Sequence, residues 1–79
     1  MEHSVWNYPI TIGIQVEEDG NHYYMVWCED WGIVACSAMG ETVLEALDNL
    51  ENVFHSIYDI YLKEGREIPT PTWPEAFTM

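Results

Sequence analysis

Ala35-Cys36-Ser37-Ala38-Met39-Gly40-Glu41-Thr42 is the stretch that decides the fold. A short apolar run ends at Gly40, and a long amphipathic run begins just after Thr42. Thr42 and Glu45 have the Thr-x-x-Glu spacing of a capping box, in which side chains satisfy backbone N–H groups that a helix start leaves unpaired. The stretch therefore predicts a strand, a turn of the backbone at Gly40, and a helix.

Working downstream, Val43, Leu47, Leu50, Phe54, Ile57 and Tyr61 recur at steps of four and three, with Ala46, Val53 and Ile60 beside them. That spacing predicts a helix over 42–63 with one wide apolar face. Glu45, Asp48, Glu51 and Asp59 fall on the opposite side. Gly65 terminates the helix, and Lys63 and Arg66 suit its negative end. Pro69, Pro71 and Pro74 then favour an extended Pro-rich C-terminal tail, 66–79, which Trp73 and Phe77 anchor to the body or to a partner.

Working upstream, 8–38 reads as three strands. Tyr8, Ile10, Ile12, Ile14 and Val16 alternate with Pro9, Thr11, Gly13 and Gln15, which predicts a first strand, 8–16, with one buried face. Glu17-Glu18-Asp19-Gly20-Asn21 is a hairpin turn. The second strand, 22–28, is rich in Tyr, Val and Trp. Glu29-Asp30-Trp31-Gly32 is a loop, and 33–38 is the third strand. Residues 1–7 are expected to be a flexible arm, with Val5 and Trp6 as the residues able to tuck onto the body. The expected fold is α+β: one domain, 1–79, made of a three-stranded antiparallel meander with a single long helix packed on one face.

Charge narrows the function. Fourteen Asp and Glu stand against two Lys and Arg, a net −12 on 79 residues. Nucleic-acid binding needs clustered cations to neutralise phosphates, so direct binding is not expected. A negative potential over the whole surface suits either solubility or docking onto a basic protein. No run is long and apolar enough for a membrane span. Residues 1–7 have no leader-like pattern, so the expected location is the cytoplasm.

Chemistry finds little support. The acids of 17–19 and 29–30 fall in turns, where exposed carboxylates are ordinary. His3, His22, His55, Cys28 and Cys36 lack the short spacings of a structural zinc site, and the two cysteines are expected to be buried thiols. Ser37 has no nucleophile elbow around it, and no phosphate loop is present. Neither catalysis nor a cofactor nor a metal is expected. Trp31, flanked by acids, is either an interface anchor or a lid over the core. Tyr23, Met25 and Trp27 lie on one face of the second strand and Tyr24, Val26 and Cys28 on the other, so an apolar face is left over. That points to a partner or to a homodimer.

Three segments resemble the HicB family of antitoxins and its HicB-like relatives. One is Ile14-Gln15-Val16-Glu17-Glu18-Asp19-Gly20 followed by Tyr23-Tyr24, like the family's acidic hairpin before an aromatic strand. Another is Cys36-Ser37-Ala38-Met39-Gly40-Glu41-Thr42 followed by Glu45-Ala46-Leu47 and Asn49. The last is Tyr61-Leu62-Lys63-Glu64-Gly65-Arg66-Glu67-Ile68-Pro69-Thr70-Pro71. Together they span most of 10–71. Two features depart from the family pattern: 29–36 lacks its prolines and has Ala35 in place of a glycine, and the family's C-terminal DNA-binding domain has no counterpart here. The resemblance implies a partial RNase H-like sheet with one helix and no catalysis. It also implies a function: an antitoxin or inhibitor that covers the active or RNA-binding surface of a basic RNA-cleaving toxin. The residues expected to make that contact are Glu17, Glu18, Asp19, Glu29, Asp30, Trp31, Glu45 and Asp48. The competing expectation is an acidic nucleic-acid mimic, such as a phage-encoded inhibitor of a nuclease or a CRISPR effector. A degenerate RNase H-type nuclease ranks last.

Overall fold

The structure, a computed structural model, describes residues 4–73. Three strands form one antiparallel sheet in the order β1-β2-β3, with β1 at Thr11–Val16, β2 at His22–Trp27 and β3 at Ser37–Gly40. A single helix, α1, follows at Val43–Glu64 and packs on β3 and β2. The α+β meander with one helix on one face is thus the architecture of the chain.

The helix begins and ends on the expected residues. Thr42 caps it, its hydroxyl accepting from the Glu45 N–H at 3.0 Å. The Glu45 carboxylate reaches back one residue further than in the usual box and accepts from the Glu41 N–H at 3.1 Å. At the other end Gly65 adopts the left-handed conformation, φ 68°, and the N–H groups of Gly65 and Arg66 close onto the carbonyls of Leu62 and Tyr61. This double closure satisfies carbonyls that a helix end otherwise leaves orphaned.

Gly40 has a different task from the one its position suggests. It is the last residue of β3, not a turn residue, and its φ is not positive. A Cβ built there would lie 2.5 Å from the backbone nitrogen of Ala46. The first turn of α1 therefore rests directly on the β3 backbone, and only glycine leaves room for it.

The third strand is shorter and later than 33–38. Residues 29–36 are spent on consecutive turns, closed by Gly32 N–H to the carbonyls of Cys28 and Glu29 and by Cys36 N–H to the Gly32 carbonyl at 2.8 Å. The apolar run Ile33-Val34-Ala35 mimics a strand but lies on this exposed excursion, with Val34 97% exposed. Gly32, at φ 94°, makes the excursion possible.

The first strand also starts late, at Thr11. Tyr8 turns inward instead, and Pro9 has no N–H to give a ladder. The chain before it is not a loose arm in its described part: Val5–Asn7 is a 3₁₀ turn capped by Ser4, with Val5 fully buried. Trp6 Nε1 donates to the Glu51 carboxylate at 3.0 Å. Among 66–73, Tyr8 donates its hydroxyl proton to the Pro69 carbonyl at 2.6 Å, and Trp73 Nε1 donates to the Asn7 carbonyl at 3.0 Å. Phe77, the other expected anchor of the tail, lies outside the described residues.

The core unites Val5, Tyr8, Val26, Cys28, Trp31, Cys36, Ala46, Leu50 and Phe54. It lies between α1 and the β2–β3 half of the sheet. Ile12, Ile14 and Val16 pair with Val26, Tyr24 and His22, so their side chains stand on the helix side. Their alternation predicts burial there. They are instead 51%, 54% and 70% exposed, because a helix about 10 Å across spans only about two strands spaced at about 4.8 Å.

Two glycines give opposite expectations that equilibrium urea unfolding distinguishes. Gly40→Ala drives a methyl group into the α1 backbone and should cost about 2–3 kcal/mol or more. Gly20→Ala meets nothing within 4 Å and is penalised only for its φ of 89°, at about 1 kcal/mol. Equal costs would mean that α1 does not rest on β3.

Candidate functional site: an acidic surface and an open strand edge

The residues expected to bind a partner do not form one site. Glu17, Glu18 and Asp19 project from the β1–β2 turn at one end of the sheet. Glu45 lies on the first turn of α1 at the same end, beside Gly40. A shallow cleft there is lined by Glu17, Gly20, Asn21, His22, Tyr23 and Glu41, and an adjoining shelf by Tyr23, Met39, Gly40, Glu41 and Glu45. Tyr23 and Glu41 line both. Asp48 is exposed further along the helix. Glu29 and Asp30 lie at the opposite end, in a cleft shared with Pro9, Ile10, Thr11, Thr72 and Trp73.

Several of these carboxylates already have internal partners. Asp19 accepts from both the backbone and side-chain amides of Asn21, at 3.0 and 2.9 Å, which fixes the hairpin turn. Asp30 accepts from the Thr72 N–H at 3.1 Å and from its hydroxyl, tying 66–73 to the 29–32 loop. Glu45 serves the helix cap. Of the expected acids, Glu17, Glu18, Glu29 and Asp48 are exposed and lie outside the capping and tail-docking bonds.

Trp31 corrects the expectation of an exposed anchor. It is 5% exposed and sits edge-on to Tyr8 and Phe54, with ring centroids 5.9 and 5.3 Å away, and against Tyr61 at 4.8 Å. The lid role is the one it plays, because the turns of 29–36 fold its ring back over the gap between α1 and the sheet. Its indole N–H is buried without an acceptor in hydrogen-bond geometry. Burial raises the Tyr8 hydroxyl above its ordinary pKa, against a smaller lowering by that indole.

The surface electrostatics are simple. Of the twelve acids among the described residues, all are exposed except half-buried Asp30 and Glu51. The one ion pair among the described residues is Arg66–Glu64, 3.5 Å apart and exposed on both sides. Arg66 also lies 4.8 Å over the Tyr61 ring. The acidic surface is thus left almost uncompensated by the chain itself. Among the described residues, no three His, Cys, Asp or Glu side chains gather to hold a metal ion. Among the described residues, no helix is long and apolar enough to cross a membrane.

The sequence pattern places Glu41 only in the strand-helix joint, and it gives no sign of the exposure of β1. The edge character of β1 follows from the hydrogen-bond ladder. The Glu17 N–H donates to the Asn21 carbonyl at 2.7 Å. Antiparallel pairs alternate between bonded and non-bonded, so Gln15, Gly13 and Thr11 bond to β2. The N–H and C=O of Ile12, Ile14 and Val16 therefore point away from the sheet. The Cys28 N–H, which donates to the Cys36 carbonyl at 3.1 Å toward β3, fits the same alternation.

No family model, no curated protein and no solved structure matches the chain.

The two thiols are free and fully buried. Burial pushes Cys36 up to about 11 and raises Cys28 as well. A thiol kept neutral by the fold stabilises the fold below its unfolded pKa, and that contribution is lost as pH rises toward its folded value. Stability should therefore fall between about pH 9 and pH 11 by roughly 1–3 kcal/mol for Cys36. Cys36→Ala should flatten that fall in urea titrations at each pH. For Trp31, truncation to Ala should cost about 3–5 kcal/mol of folding stability. A Trp31→Ala variant that keeps its urea midpoint would restore the ring to the surface.

Proposed function

We propose that the chain is a binding module that inhibits a basic, RNA-cleaving protein by covering the surface with which that protein holds RNA, in the manner of a HicB-like antitoxin. One observation carries the reading: ten of the twelve described acids are exposed, against two cations, Lys63 and Arg66, and one ion pair among the described residues. Such a surface is attracted to one built to hold phosphate, and the attraction speeds encounter and disfavours wrong partners. The uncovered Ile12, Ile14 and Val16 add apolar contact that charge alone does not supply. The resemblance of three segments to the HicB family supports the same reading. No step of the proposed function requires chemistry by this chain.

The test is capture on the immobilised full chain, identification of the captured protein, and assay of its RNA cleavage. The expected partner is basic, cleaves RNA, and stops cleaving when this chain is added in equal amount. Its affinity should fall steeply between about 50 and 500 mM salt. Replacing Glu17, Glu18 and Asp19 by their amides should slow association several-fold while changing dissociation little. Binding indifferent to salt, or a captured protein whose RNA cleavage continues, would contradict the proposal.

A further inference from the structure

β1 is an edge strand with an unusual combination of features. Its six residues, Thr11–Val16, carry no charge. Edge strands are commonly blunted by charge, by proline or by a cover, because their free N–H and C=O groups template another strand. The proline nearest β1, Pro9, lies before the strand, and the hairpin turn with Gly20 lies after it. Between them, the same three residues present both kinds of docking group. Ile12, Ile14 and Val16 turn their backbone polar groups outward and leave their aliphatic side chains uncovered on the helix side. Gly13 on the opposite face sits beneath the Trp27 ring, whose atoms would lie 3.3 Å from a Cβ at that position.

We infer that this edge receives an extended, cationic segment of the partner protein as a fourth strand of the sheet. Alternate apolar side chains of the segment would lie over Ile12, Ile14 and Val16, beside α1. Its Lys or Arg side chains would face Glu17, Glu18 and Asp19, which continue directly from the end of β1. Backbone pairing supplies affinity in such additions and the alternating side chains supply specificity. Charge selects this occupant over a second copy, because a copy would bring another −12 to the edge and offers no cation along its own β1. The inference rests on the reading of the chain as a binder of a basic protein.

Amide hydrogen exchange on the isotope-labelled full chain tests it, with a capped synthetic peptide of about ten residues alternating Val and Lys as the probe. The control peptide has the same charge but carries proline at its central apolar positions, and so cannot pair as a strand. In the free chain the amides of Ile12, Ile14 and Val16 should exchange quickly, and those of Gly13 and Gln15 slowly. The alternating peptide should slow the first three by about tenfold or more, and the control should not. Ile14→Pro deletes an outward donor without removing a bond to β2, and should abolish the slowing at Ile12 and Val16. Should that variant fold poorly, Ile12→Lys opposes a cationic segment while changing only an exposed side chain. Equal slowing by both peptides, or slowing confined to β3, would overturn the inference. Slow exchange in the free chain that deepens with its concentration would also overturn it, by revealing a second copy at the edge. In the complex with a captured basic protein, unprotected Ile12, Ile14 and Val16 amides would sink this inference alone. Absence of any salt-sensitive capture, with peptide protection intact, would sink the proposed inhibition instead.

Discussion

The contact between Gly40 and Ala46 determines where everything else goes. A helix start lies on bare strand backbone only where no side chain intervenes, and the 2.5 Å separation from a notional Cβ shows how closely the two approach. With its first turn fixed on β3, α1 runs over β3 and β2 and directs Ala46, Leu50 and Phe54 onto Val26 and Cys28. A single helix covers about two strands. β1 is therefore left outside, although its alternation reads as that of a strand with one buried face. The space between α1 and the sheet still has to be filled. Trp31 from the 29–36 turns, and Val5 and Tyr8 from the N-terminal side, fill it.

This arrangement separates two properties that a binding protein needs. Trp31, the ring that would serve as an anchor in the acidic loop, is drawn into the core of a small domain, where burial is scarce. Ile12, Ile14 and Val16 leave apolar surface on an edge strand, beside an acidic turn. The carboxylates divide in a similar way. Asp19, Asp30, Glu45 and Glu51 hold the hairpin, the 66–73 segment, the helix cap and the 3₁₀ turn. Glu17, Glu18, Glu29 and Asp48 stay on the surface and contribute to its field. A chain with so few cations gains its internal order from hydrogen bonds to carboxylates rather than from ion pairs.

Local chemistry made much of this legible in the sequence. The Thr42 cap, the Gly65 stop, the acidic hairpin and the stripe of Leu50 and Phe54 depend on neighbours within a few residues, and they fall where their patterns indicate. The stretch 33–35 misled because an exposed apolar turn and a short buried strand have the same composition. Only the bonds from Gly32 to Cys28 and Glu29 distinguish them. Trp31 could be read as anchor or lid, because whether a loop ring points in or out depends on the space left by α1. The exposure of Ile12 and Ile14 depends on a width comparison between one helix and three strands. The short link from Gly40 to Val43 keeps α1 beside β3, and the missing Cβ at Gly40 sets how closely the two approach. None of these is a matter of sequence periodicity.

The central claim is that α1 is seated over β2 and β3 and leaves the helix side of β1 open to a partner. Methyl NMR on the free chain, with a neutral soluble paramagnetic agent, measures this directly. The account predicts strong relaxation of the Ile12, Ile14 and Val16 methyls, none of Val26 or Leu50, and cross-relaxation between Gly40 Hα and Ala46. Protected Ile12 and Ile14 methyls with cross-relaxation to the apolar stripe of α1 would contradict it.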